Sequence, residues 1–177
     1  IALFAIVNPI GSIPVFVSAT SAWNKQARAH TANVVAITVF IVLMIATFIG
    51  NDILNFFSIT IPSFQVGGGI LILLMSINMM HGKQSHVRQT PEEAQNLAER
   101  DAIAIVPLSI PLLAGPGAIS SMIIAAEKST SLVTQASLTI PVAVVASLVW
   151  LTLRLSVIIS HKLGTIGINI ITRLMGL

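Results

Sequence analysis

Five stretches of this chain run for 23 residues or more without an aspartate, glutamate, lysine or arginine: 1–24, 29–51, 53–82, 102–126 and 129–153. A helix needs about 20 mostly apolar residues to cross the ~30 Å hydrocarbon layer of a bilayer. Each run exceeds that length. Of the 177 residues only 8% are charged and 55% are hydrophobic, against about 25% charged in an ordinary soluble domain. Too few charges remain to clothe a surface facing water. Strands of a membrane barrel alternate apolar and polar side chains, whereas 34–49 and 70–75 are almost continuously apolar. Backbone in lipid must then be bonded within its own segment. The expected class is an all-α, polytopic transmembrane protein.

Six spans are expected, at roughly 1–21, 33–50, 63–81, 102–126, 136–157 and from 167 onward. Lys25 and Arg28 follow the first span, and Lys83, Arg88 and Arg100 follow the third. Lys162 follows the fifth, with Arg154 and Arg173 at the adjoining helix ends. Those are eight of the nine cationic residues, and only Lys128 falls on an even-numbered connection. Lysine and arginine favour the cytoplasmic side, which puts the connections after spans 1, 3 and 5 inside and both termini outside. The chain reads as one transmembrane domain: a first three-helix repeat over about 1–81, a polar cytoplasmic connection at 82–101, and a second repeat over about 102–177. Leu177 falls about eleven residues into span six, half the depth of a bilayer at 1.5 Å per residue. The first span is not expected to be a cleaved signal peptide, since no basic region or evident cleavage site accompanies it here. Trp23 and Trp150 are expected to anchor at the interface and pack toward lipid, with Arg154 snorkelling to the headgroups. The formal charge of +3 sits in loops and implies no nucleic-acid partner.

Two spans carry a proline–glycine break. The first reads Asn8-Pro9-Ile10-Gly11-Ser12-Ile13-Pro14 and the second Ala114-Gly115-Pro116-Gly117-Ala118-Ile119-Ser120, which places Gly11 and Gly117 at positions 106 apart. An interior proline removes a backbone hydrogen bond and crowds the preceding turn. Interrupted spans at matched positions of two halves mark a transporter's binding site. Three spans per half is an odd number, so the second copy enters from the opposite face as an inverted repeat. A resumed half-helix offers unpaired N–H groups and a partial positive charge, suited to a carboxylate. The expected substrate-binding residues are therefore Asn8, Pro9, Gly11, Ser12, Gly115, Pro116, Gly117 and Ser120, with the Gly11–Ser12 and Gly115–Gly117 amides on the carboxylate. Asn8 suits either a cap or a ligand contact. Gly67, Gly68, Gly69 and Gly176 are expected to serve helix packing, since small residues let helix backbones approach.

No acid, lysine or histidine falls at the centre of a span, and Asp52 and Asp101 are expected at span ends. That disfavours a proton relay and favours a neutral or zwitterionic solute. A coupling ion, Na⁺ or H⁺, is not identified by these residues, although serine, asparagine and carbonyl oxygens can hold Na⁺. His81 and His86 have metal-ligand spacing without an evident third ligand, so no metal and no cofactor are expected. No base–nucleophile pair can be assembled, which argues against an enzyme. A lipid belt hides any homo-oligomer face. An ion channel and a non-transporting scaffold are the competing classes.

The two breaks, together with Gly67-Gly68-Gly69-Ile70, the run from Val106 to Ile119, and Ile171-Thr172-Arg173-Leu174-Met175-Gly176, resemble the MarC family along essentially the whole chain. These prokaryotic inner-membrane proteins are grouped with the LysE-type amino-acid exporters. The resemblance implies six helices, with further residues completing spans one and six. It also implies transport of small neutral amino acids such as alanine or glycine, in either direction, by alternating access.

Overall fold

A computed structural model describes residues 1–21, 23–80, 104–129 and 131–159. The expected connection at 82–101, His81 and His86, and span six with Gly176 lie outside the described residues. Everything described is helix and turn, with no strand among the described residues.

The first span breaks where expected. Helix α1 (Ala2–Val7) stops because Asn8 takes the left-handed conformation, φ 47° and ψ 65°, and α2 (Ile13–Ala19) resumes after a short turn. Helix α3 (Lys25–Phe56) is the mast of the structure. Asn24 starts it by accepting the Ala27 amide at 2.8 Å, which satisfies one of the orphan donors of the first turn. At 32 residues it is about 48 Å long and outruns the hydrocarbon layer. Asp52, expected to close the span, instead lies inside this helix and is exposed. The stop comes at Ser58, which has φ 56°. The Ser58 and Ile59 amides turn back onto Asn55 and Leu54 at 3.0 and 2.8 Å, a Schellman closure built on serine where glycine is usual.

Helix α4 (Ile61–Met80) follows. The second broken span is a π-wound segment, Ala104–Leu113, then Ala114 and Gly115, then α5 (Pro116–Glu127). The wider winding continues through both Pro107 and Pro111. A proline crowds the carbonyl four residues back, and an i→i−5 ladder relieves that crowding: the Ala114 amide bonds Ser109 at 2.8 Å, five residues back. A ten-residue π segment is rare, since π-winding mostly occurs as single-turn bulges. The last pieces are α6 (Leu132–Ser137) and α7 (Thr139–Arg154), separated by Leu138.

Cross-helix bonds set the directions. Asn33 accepts from Trp150 Nε1 at 2.7 Å, and the Thr47 carbonyl accepts from Gln135 Nε2 at 2.7 Å. As numbers rise along α3 they fall along α6 and α7, so these run antiparallel. Ser109 Oγ reaches the Val35 carbonyl at 3.4 Å, and Asn51 Nδ2 donates to Glu127 Oε2 at 2.9 Å. The second broken span therefore runs parallel to α3. Gly50 makes this approach possible: a Cβ there would sit 2.8 Å from Ile123 Cδ1.

The core is one cluster in which Val35, Val39 and Leu43 of α3 meet Leu108, Ala118, Met122, Val142 and Val149, with Val7 and Phe16 closing one side. The opposite face of α3 carries Ile37, Ile41, Ile45 and Phe48, all exposed. On α4, Val66, Ile70, Leu73, Leu74 and Ile77 are exposed as well. Only 39% of the most apolar window of α3 is buried, and 28% of that over Leu132–Arg154. A stripe of that kind needs lipid or a partner to cover it.

One expectation fails here. Trp23 is only 6% exposed, so it packs inside rather than toward lipid. Arg28 ties down the turn between α2 and α3 that carries Trp23: its Nε and Nη2 donate to the carbonyls of Thr20 and Ser21, each at 2.9 Å. A cation at a helix C-terminus satisfies orphan carbonyls. Trp150, by contrast, is 40% exposed, as expected.

Candidate functional site

The two breaks begin 106 residues apart. Helix α1 ends at Val7 and the π segment at Leu113, the same 106-residue offset that relates Gly11 to Gly117. Val7 and Leu113 are both buried, and both belong to the central cluster together with Ala114 and Ala118. Helix α1 packs on α5 and on α7, which holds the first broken span against the second.

At the first break Asn8 is 4% exposed and Ser12 2%. Asn8 Oδ1 accepts the Gly11 amide at 3.0 Å. Ser12 Oγ donates to the Pro9 carbonyl at 2.7 Å, and the Ile13 amide bonds Ile10 at 3.1 Å. Three hydrogen bonds inside the loop thus satisfy part of its polar backbone, and polar backbone in lipid needs such partners. Asparagine suits this place twice over: it tolerates the left-handed region and supplies the acceptor. Gly11 is required by the same geometry, because a Cβ there would meet Asn8 Cγ at 2.8 Å. The Gly11 amide, expected on a substrate carboxylate, is taken by Asn8 in this conformation.

The second break has a different chemistry. Gly115 is the N-cap of α5, in extended conformation with φ −77° and ψ 175°, and as glycine it brings no side-chain capping bond. Pro116 occupies the first helical position, where its missing N–H costs nothing. The Gly117 and Ala118 amides of that first turn have no helical acceptor, and both residues are buried. Ser120 and Ser121 donate back to the Pro116 and Gly117 carbonyls at 2.7 and 2.9 Å. With their protons so committed, their oxygens keep acceptor capacity only. This break therefore combines donors without a side-chain cap with hydroxyl acceptors, a pairing suited to a small zwitterion. Among the expected residues Asn8, Pro9, Ser12, Gly115, Gly117 and Ser120 are buried, Gly11 is half-buried, and Pro116 is exposed.

The glycine triplet behaves selectively. A Cβ on Gly68 would lie 2.5 Å from Ser120 Oγ and 2.8 Å from Ser120 Cβ, so of the three glycines Gly68 is the one on which α5 closes, beside the second break. Gly67 and Gly69, expected to share that packing role, meet nothing within 4 Å among the described residues and are exposed.

Sequence reasoning overlooked Ser109 and Gly50. Ser109 is fully buried and bonds the Ala104 carbonyl at 2.7 Å, bracing the π segment. Its position between Pro107 and Pro111 was the available signal. Gly50 stands alone in a span without other breakers, which identifies it only once Ile123 is known to face it.

No solved structure matches this chain. Among proteins of known sequence, the membrane protein YhcE of Escherichia coli is 41% identical over 177 residues, covering 100% of this chain and 82% of its own length. YvbG of Bacillus subtilis is 36% identical over 178 residues, covering 100% of this chain and 84% of its own length. A membrane protein of the archaeon Methanocaldococcus jannaschii is 34% identical over 175 residues, 99% of this chain and 85% of its own length. The family profile of MarC integral membrane proteins matches residues 1–177. This chain belongs to the MarC family of integral membrane proteins.

Proposed function

We propose that this protein is a secondary transporter of small neutral amino acids, such as alanine or glycine, or of similar small metabolites. The observation that carries the reading is the second break: a buried helix start at Gly117 and Ala118 without a side-chain cap, with Ser120 one turn away. Its amides would hold a carboxylate, and acceptor oxygens from Ser120 and Ser12 would face the ammonium. The loop at Asn8 would close the opposite side, braced by its internal hydrogen bonds. Both sets of groups are almost fully buried, which suits an occluded state between two open ones.

In this reading the six spans form two inverted repeats, and the breaks face each other across an axis in the membrane plane. The antiparallel course of α3 and α7, counterparts in the two halves, agrees with such an inversion. The membrane would be the prokaryotic inner membrane, with the cation-rich ends of the spans in the cytoplasm and both termini outside. The reading requires no enzyme chemistry, metal or cofactor, and it leaves the coupling ion, Na⁺ or H⁺, open to measurement. A homo-oligomer is compatible with it.

Counterflow of labelled alanine and glycine in proteoliposomes tests the proposal. Saturable counterflow that disappears in Gly117→Leu, with the variant still inserted and folded, supports a carrier using this site. Wild-type flux in Gly117→Leu overturns the site. Non-saturating conductance identifies a channel, and absence of flux for all small neutral solutes identifies a scaffold.

A further inference from the structure

Between α3 and α7 runs an open groove of about 460 Å³, within the ~300–1,000 Å³ range of small-ligand sites. Its walls are apolar, with Ile37 and Phe40 on one side and Ala143 and Ala146 on the other. Its end is polar. There Trp150 Nε1 donates to Asn33 Oδ1 at 2.7 Å. Arg154 Nη1 approaches the same oxygen at 3.4 Å, and the guanidinium lies 5.4 Å from the centroid of the Trp150 ring. The cation is thus held in place by a ring face and an amide oxygen. No carboxylate among the described residues pairs with it, and most of its five donors remain for a ligand.

The depth of this polar end is set by the helices. Asn33 lies eight residues after Lys25, about 12 Å from the start of α3, and Trp150 is one turn from the end of α7. Lys25, Arg28 and Arg154 all mark this end of the bundle. The described acids, Asp52 and Glu127, lie at the other end, where Asn51 bonds Glu127. An apolar slot that ends in a held cation near the helix termini has the polarity of a phospholipid.

We infer that the groove between α3 and α7 binds an anionic phospholipid, with an acyl chain along Phe40 and Ala143 and the headgroup phosphate on Arg154 and the Asn33 amide. Charge complementarity selects this occupant. Anionic lipids gather where juxtamembrane cations cluster, and a net-neutral lipid gains less from Arg154. A second copy is a poorer fit. Two chains inserted the same way and related by an axis along the membrane normal bring like ends together, so Asp52 and Glu127 of one copy stay far from Arg154 of the other.

The inference is independent of any transported solute and is tested by native mass spectrometry of the purified full chain with phosphatidylglycerol and phosphatidylcholine. The wild type should retain phosphatidylglycerol preferentially. Arg154→Gln should weaken that binding about fivefold, the effect of one interfacial cation. Ala143→Phe, which fills the slot and leaves Arg154 intact, should abolish it. The inference is overturned by equal retention of both lipids in the wild type, or by unchanged phosphatidylglycerol binding in either variant. Displacement of the lipid by glycerol phosphate alone would make this a free-anion site and overturn the lipid assignment. A dimer in the wild type that Ala143→Phe dissociates would assign the groove to a second copy instead.

Discussion

Replacing Asn8 separates the two tasks that this side chain performs at the first break. Asn8→Ala removes the acceptor of the Gly11 amide, and an N–H stranded away from water costs about 1–3 kcal/mol. It also forces alanine into the left-handed region at φ 47°, at roughly 1–2 kcal/mol. The sum is about 3 kcal/mol. Asn8→Gly strands the same amide but carries no left-handed penalty. Against that relief stands the extra chain entropy of glycine, about 0.5–1 kcal/mol, so glycine should be the milder change by about 0.5–1 kcal/mol. For a chain of this size one kcal/mol moves the melting temperature by roughly 2–4 °C, which predicts a loss of about 6–12 °C for alanine and a few degrees less for glycine. Thermal melts in a fixed detergent, followed by tryptophan fluorescence, provide the reading. An alanine variant melting within about 2 °C of the wild type would show that the Gly11 amide does not depend on Asn8. A glycine variant melting below the alanine variant would refute the left-handed assignment.

Three further outcomes follow from the packing and caps. Ser58 sits at φ 56°, so Ser58→Gly should raise stability by up to about 1 kcal/mol; an unchanged or lower melting temperature would contradict the Schellman closure of α3. Gly68→Ala should destabilise by about 1–3 kcal/mol through overpacking against Ser120, whereas Gly67→Ala should be neutral or gain about 0.5–1 kcal/mol from helix propensity; equal effects at the two positions would deny the α4–α5 contact. Gly50→Ala should be destabilising alone and less so in an Ile123→Ala background, with a coupling of about 0.5–3 kcal/mol in a double-mutant cycle of melting curves; strict additivity would mean that the two residues do not touch.

The Asn8 break was legible because its cause is local. Asparagine before proline, then glycine three residues on, leaves few backbone solutions, and the chain takes one of them. The second break was legible as a cluster of breakers at Pro107, Pro111, Pro116 and the flanking glycines. Its π-winding was not, since the choice between kinking and widening depends on what braces the widened turns, here Ser109 between Ala104 and Val35. Trp23 was misread because an aromatic at a span end normally anchors at the interface. The Arg28 bonds that tie down its turn form only after α2 and α3 meet.

Charge-free length, few charges and paired breakers determined the solvent, the helical class and where the spans must interrupt, because unbonded backbone in lipid leaves no other outcome. Tertiary structure decided which groups those breaks leave free. Asn8 consumes the Gly11 amide, whereas the glycine cap of α5 supplies no side-chain acceptor to the first-turn amides. It also decided which of three adjacent glycines meets a neighbour among the described residues, and that Asn33 joins Trp150 across 117 residues. Such pairings depend on the rotation and offset of whole helices against one another, which periodicity along a single helix does not encode.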